Sequence, residues 1–240
     1  MKRILVFSLL FLILTGCGRN PQPSRETVSQ KPKTAASSGQ LPADTGFTSE
    51  KESVSNELTP PTLADVGDLS EVAVITTTKG DIVVEFFADK APMHIANFKK
   101  LARYGFYDGT TFHRVLPGFV IQGGDPNSKD ANPENDGSGG PPWKVNAEFN
   151  DVPHEKGILS MARSPDFNSA GSQFFICLGR AAHLDNKYTV FGRVIRGLDV
   201  VEKIGENKRD PMSPHDRMLP AVIMTKVQII HSAALPPAGK

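Results

Sequence analysis

The sequence predicts an all-β-dominated fold over residues 71–232: a closed eight-stranded antiparallel β-barrel with two capping α-helices. Three observations carry that expectation. Eight short runs rich in β-branched and aromatic residues recur between residues 72 and 230, Gly- and Pro-bearing segments separate them, and only two stretches show a helical period. About 160 residues is an ordinary size for one hydrophobic core.

The elements follow in chain order. Residues 72–78 (Val-Ala-Val-Ile-Thr-Thr-Thr) read as a strand, Lys79-Gly80-Asp81 as a turn, and residues 82–87 as the returning strand of a hairpin. Ala91-Pro92 opens a helix, because Pro suits a first turn, and Ile95, Phe98, Leu101 and Ala102 recur at helical spacing until Gly105. Further strands are expected at 111–115, 119–123, 157–161, 174–178, 189–194 and 221–230, with a second helix at 198–204 before Gly205. Phe86, Phe87, Phe98, Met161 and Phe191 are expected in the core, Trp143 as a structural plug, and Cys177 as a buried small hydrophobe.

Before the barrel the chain reads as an address and a tether. Lys2 and Arg3 precede an apolar run at residues 4–14, too short to span about 30 Å of hydrocarbon and laid out like a secretory signal. Leu14-Thr15-Gly16-Cys17 resembles the bacterial lipobox, which implies a leader at 1–16 and lipidation of Cys17. Gly18 follows, so the aspartate that resembles an inner-membrane retention signal is absent, and the outer membrane facing the periplasm is the expected destination. Residues 17–70 are rich in Pro, Ser, Thr, Gln, Lys and Glu without apolar period, and are expected to be a disordered linker reaching roughly 40 Å. Residues 233–240 read as a disordered tail.

Composition excludes several functions. A net charge of +1 gives no electrostatic case for nucleic acid. Two distant cysteines exclude a disulfide framework, and the six histidines lack metal-ligand spacing, so neither metal nor cofactor is expected. Periodicity yields a barrel and no chemistry.

The chemistry comes from ordered motifs. Residues 112–125 (Phe-His-Arg-Val-Leu-Pro-Gly-Phe-Val-Ile-Gln-Gly-Gly-Asp) closely resemble the signature segment of cyclophilins. Blocks at 157–162 (Gly-Ile-Leu-Ser-Met-Ala), 171–176 (Gly-Ser-Gln-Phe-Phe-Ile) and 183–192 (His-Leu-Asp-Asn-Lys-Tyr-Thr-Val-Phe-Gly) follow in that family's order. The resemblance spans roughly residues 72–231. It implies a peptidyl-prolyl cis–trans isomerase acting on proline-containing unfolded or exported polypeptides; together with the lipobox, the expectation is a monomer held on a membrane by its lipid.

The resemblance further implies Arg114 and Gln122 as catalytic residues, with Phe119, Val120, Ala162, Arg163, Phe175, His183, Leu184 and Tyr188 binding substrate. Gln122 would orient Arg114 or hold the substrate backbone, and the contact at Arg163 would be made by its main chain. His113, between motif residues, is expected to be structural because strand alternation turns it away from Arg114. His183 stands where many members carry a tryptophan whose indole donates a hydrogen bond to cyclosporin, and Tyr188 where they carry a histidine. Weak cyclosporin binding and an altered substrate preference are therefore expected. A prolyl-peptide binder with little turnover, or an envelope lipoprotein whose important part is its tether, are the competing functions; retention of Arg114 and Gln122 favours the enzyme.

Overall fold

The computed structural model describes residues 58–208 and 216–235 of the 240-residue chain. The expected leader, Cys17 and linker residues up to 57 lie outside the described residues.

Eight strands and two α-helices are present among the described residues. The strands are β1 (Glu71–Thr77), β2 (Gly80–Phe86), β3 (Arg114–Leu116), β4 (Val120–Gly123), β5 (Ile158–Met161), β6 (Phe174–Cys177), β7 (Val190–Arg196) and β8 (Met224–His231). Helix α1 (Pro92–Arg103) follows β2, and α2 (Leu198–Gly205) follows β7. Pro92 sits in the first turn of α1, and Ile95, Phe98, Leu101 and Ala102 are its buried face, as their spacing requires. Helix α2 starts at Gly197, whose φ of 80° and close approach to the Asp81 carbonyl leave no room for a Cβ.

All strand pairs are antiparallel, in the order β3-β4-β6-β5-β7-β2-β1-β8. The expected closed barrel is corrected here: the sheet is an open half-barrel. Its edge strands β3 and β8 share no ladder, and across the seam the described residues form one isolated bridge, Thr111 with Ile223. The reason lies in the short edge. β3 holds three residues instead of the five expected, and the Val115 N–H donates to the Asp216 carbonyl instead of to β8. β8 in turn begins only after Pro220, at Met224.

Ordered structure also begins ahead of β1. Residues assigned from sequence to the linker form a 3₁₀ turn, Leu63–Val66, whose carbonyls are gripped by α1. Lys99, nearly inaccessible to water, donates to the carbonyls of Val66 (2.7 Å) and Asp68 (2.9 Å) and to Glu71 Oε2 (3.0 Å). Arg103 makes a two-pronged pair with the same Glu71. At the other end a 3₁₀ turn, Ser232–Ala234, runs into the expected tail.

Alternation along the strands creates two apolar layers. Ile121, Phe174 and Ile176 point into the main core with Phe98, Leu101, Met161 and Phe191, whereas Val120, Phe175 and Cys177 point to the other face. Trp143 plugs the main core and donates from Nε1 to Asn97 Oδ1 at 2.8 Å. Phe87 departs from expectation: it is half-buried outside that core, with the Arg193 guanidinium 5.9 Å from its ring centre.

Candidate active site

The face opposite the core carries the predicted site. Its frame is the β3–β4 hairpin, closed by Leu116-Pro117-Gly118-Phe119: Phe119 N donates to Leu116 O at 2.9 Å, and Gly118 has a φ of 72°. Pro followed by Gly at the central positions is the chemistry of a type II turn. Within the ladder Arg114 faces Gln122, Gln122 faces Phe175, and Val120 faces Cys177. One register thus brings a cation, an amide and an aromatic ring to one face.

These side chains border an open hollow of about 280 Å³ lined by Arg114, Phe119, Val120, Gln122, Ala162, Arg163, Phe175, Leu184 and Tyr188. Nine of the ten predicted catalytic and substrate-binding residues therefore meet at one place. His183 is the exception: it stacks outside on Phe119, ring centres 5.2 Å apart and planes at 27°. A second hollow of about 230 Å³ shares Gln122, Ala162 and Arg163 with the first and continues past Lys144, Ser164, Ser169 and Gln173.

Of the two roles expected of Gln122, orienting Arg114 is not what its amide nitrogen does. Gln122 donates from Nε2 to Gln173 Oε1 at 3.0 Å, and Gln173 donates in turn to Gly139 O at 2.9 Å. Gln122 is thus committed to the wall between the hollows and not to Arg114. The carboxylate facing Arg114 belongs to Asp216, its Oδ2 3.9 Å from Arg114 Nε. Sequence reasoning missed Asp216 and Gln173. Gln173 lay inside a recognised block, but Asp216 is about 100 positions from Arg114 with no periodic signal to relate them.

Beneath the floor lies a buried polar chain. His154 stacks on Phe175 (6.0 Å, 18°), its Nδ1 is 3.0 Å from Asp185 Oδ1, and its Nε2 is 3.0 Å from Ser160 Oγ. Ser160 Oγ also donates to Thr189 O at 3.0 Å. Burial lowers the His154 pKa against the opposing pull of Asp185, while the hydrogen bond from Arg180 holds the Asp185 carboxyl well below the usual carboxylate range. A Ser–His–Asp order does not make a hydrolase here, since Ser160 is sealed from solvent and no substrate atom can reach its hydroxyl. Burial also pushes the Cys177 thiol up to about 12, so it stays protonated at neutral pH. His113 is buried and is not among the residues lining the hollow. Among the described residues no group of three or more His, Cys, Asp or Glu is placed to hold a metal ion.

The arrangement suits an uncharged apolar group beside a cation. It contains an apolar floor and walls, a guanidinium at the edge, and no accessible nucleophile with a partnering base.

Known proteins agree with this geometry. Residues 72–229 match the family model described as cyclophilin type peptidyl-prolyl cis-trans isomerase/CLD. A peptidyl-prolyl cis-trans isomerase of Synechococcus elongatus is 50% identical over 121 residues, covering 50% of this chain and 78% of that protein. A probable peptidyl-prolyl cis-trans isomerase of Brucella abortus is 38% identical over 168 residues, covering 67% of this chain and 86% of that protein. The crystal structure of a Cryptosporidium parvum cyclophilin in the presence of the dipeptide Ala-Pro is similar with a TM-score of 0.60 and 30% identity, covering 66% of this chain and 98% of that one. With the match running through every strand from β1 to most of β8, this chain belongs to the cyclophilin-type peptidyl-prolyl cis-trans isomerases.

Proposed function

We propose that the hollow receives the proline of an X–Pro segment and that Arg114 stabilises the amide as it twists. Rotation about the peptide bond is resisted by resonance, with a barrier of about 18–20 kcal/mol, whereas the two X–Pro isomers lie close in energy. Such a catalyst needs no covalent step; it must bind the twisted amide better than either planar form. In the twisted state the nitrogen lone pair leaves conjugation and becomes an acceptor, and a fixed guanidinium beside it gains a hydrogen bond absent from the ground state. Phe119, Phe175, Leu184 and Tyr188 would clamp the ring while the preceding residue rotates.

The observation that supports this reading is the convergence of Arg114 with four apolar side chains on one open hollow. Magnitudes limit the role of Arg114. A charge-assisted hydrogen bond contributes about 1.5–3 kcal/mol, equal to roughly one to two decades of rate. The apolar clamp and the exclusion of water must supply the rest. Arg114→Ala should lower kcat/KM on an Ala-Pro peptide at least about tenfold with the circular dichroism spectrum unchanged. An unaltered rate in the folded variant refutes the role and favours a prolyl-peptide binder.

The same proposal places the enzyme outside the cytoplasm, acting on exported polypeptides as a monomer anchored through Cys17. The Leu14-Thr15-Gly16-Cys17 segment supports it. Several acyl chains on one residue suit stable anchoring, since each buried methylene contributes about 0.8 kcal/mol. Labelled palmitate should enter the protein in a bacterial host and be lost in Cys17→Ser; equal labelling of both removes the anchor.

A further inference from the structure

We infer that the side chain of Arg163 is a positioning residue for the isomerase, fixing Tyr188 as a rigid wall of the proline hollow. The inference rests on the proposed reading of that hollow.

Arg163 lies just beyond β5, where Ala162 N still donates to Gln173 O at 2.9 Å. From there its guanidinium reaches the turn that carries two of the hollow's walls. Nε and Nη2 donate to Lys187 O at 3.2 and 2.8 Å, and Nη1 donates to Ser164 O at 2.8 Å. Lys187 immediately precedes Tyr188, and the amides of both residues donate to Leu184 O at 3.0 and 3.2 Å. The two-pronged grip on Lys187 O therefore holds Leu184 and Tyr188 as one unit.

The guanidinium also lies 4.6 Å from the centre of the Tyr188 ring, within cation–π range. Phe175 meets the same ring nearly edge-on, at 5.8 Å and 79°. Tyr188 is thereby held between a cation and a fixed aromatic edge. The Arg163 guanidinium also meets Phe167, whose ring centre is 4.7 Å away. Phe167 is 56% exposed and also meets Phe149 edge-on, at 5.5 Å and 88°. Its packing on Arg163 ties the 164–169 loop to the 184–188 turn.

These bonds also separate the roles of the two arginines at the hollow. All three guanidinium nitrogens of Arg163 donate to main-chain oxygens, and two aromatic ring centres lie 4.6 and 4.7 Å from its guanidinium carbon, so its charge is engaged within the protein. Arg114 has 42% of its side chain exposed and is turned to the place where substrate would lie. Arg163 thus shapes the ground-state pocket and does not meet charge developing in the transition state. Its removal should weaken binding of both states equally, a signature read in KM and not in kcat.

The test uses the full-length protein and an Ala-Pro peptide, with kcat and KM resolved by NMR exchange. Arg163→Gln is expected to raise KM about three- to tenfold with kcat held within about twofold. Tyr188→Leu is expected to raise KM by a similar factor. In the double variant the two effects should not multiply, because each removes the same wall. Arg163→Lys keeps the charge and loses the fork, and should fall between wild type and Arg163→Gln; it also serves if Arg163→Gln fails to fold. An unchanged KM, a fall in kcat at constant KM, or fully multiplicative effects in the double variant would each overturn the inference. Arg114→Ala, run alongside, separates the two failures. If Arg114→Ala retains the wild-type rate, the reading of the hollow falls; if it loses activity while Arg163→Gln leaves KM unmoved, this inference alone falls.

Discussion

Asp216 holds β3 twice: its main-chain oxygen accepts the Val115 N–H at 3.3 Å, and its carboxylate stands 3.9 Å from Arg114 Nε. It does so from a left-handed conformation, φ 59°, that non-glycine residues adopt infrequently. The next residue, Arg217, is buried, with Nε 3.0 Å from Asp136 and Nη2 donating to Asp130 O at 2.8 Å. A loop from the far end of the chain is thus locked in place beside Arg114.

This geometry predicts a modest, salt-sensitive effect of Asp216 on turnover. Both partners are partly exposed, and such pairs contribute about 0–1 kcal/mol. Asp216→Asn should lower kcat by no more than about fivefold at low ionic strength, with KM unchanged. The difference should shrink toward about 1 M salt, where the screening length falls to about 3 Å. A kcat equal to wild type at both salt levels would show that Arg114 is oriented by other means.

The His154–Asp185 pair predicts how stability depends on pH. His154 is lowered chiefly by burial, and Asp185 is lowered chiefly by Arg180, with His154 N adding a bond of 2.9 Å. Both groups release protons more readily folded than unfolded, so the unfolded chain binds more protons between the two values of each. Their contributions are complete above the unfolded values, about 6.5 and 4, and decline as pH falls through the lower folded values. Urea midpoints measured from pH 8 to about 3 should therefore fall with acid, first through the His154 window and then through that of Asp185. Asp185→Asn should make the decline below about pH 4 shallower. A midpoint that rises on acidification contradicts the assignment of both shifts.

Strand positions were legible in the sequence because alternation and β-branched runs reflect local physics, and α1 was legible from the spacing of Ile95, Phe98 and Leu101. The barrel's open seam was not. It depends on where the short β3 finds partners, and the partner of Val115 N is a residue about 100 positions away. The same distance hid Asp216 from the sequence, whereas the lining of the hollow was legible because cyclophilin motif blocks carry it residue by residue. His183 shows the limit of that transfer: its position matches a groove residue, but its ring is turned against Phe119. Composition misassigned residues 58–70 to the linker because polar segments with few apolar residues read as unpacked, while their main-chain oxygens are what Lys99 binds.

That clamp predicts an unusual stability role for a lysine. Lys99 Nζ is surrounded by three oxygens within 3.0 Å and lies 5.2 Å from the Phe86 ring. Lys99→Met keeps the bulk but strands the carbonyls of Val66 and Asp68, at a cost of about 2–4 kcal/mol. Glu71 keeps Arg103 as a partner, which prevents a larger loss. For a domain of this size the melting temperature should drop roughly 5–12 °C. Calorimetry showing less than about 2 °C of change would mean that the segment before β1 contributes little to the fold.

The stacking of His183 on Phe119 makes the last prediction, about inhibition. In the many cyclophilins that carry a tryptophan here, its indole N–H donates a hydrogen bond to cyclosporin. In this chain the corresponding imidazole lies outside the hollow's lining, its plane 27° from the Phe119 ring. Loss of one neutral hydrogen bond weakens binding by about 0.5–1.5 kcal/mol, equal to roughly two- to tenfold, and loss of the indole's apolar contact adds to it. His183→Trp should therefore tighten cyclosporin binding by about tenfold or more, while turnover of an Ala-Pro peptide changes little because Arg114, Phe175 and Leu184 are untouched. Isothermal titration with cyclosporin, paired with the isomerase assay, measures both. Nanomolar affinity in the unmodified protein would mean that His183 supplies the donor after all, from a rotamer turned away from Phe119.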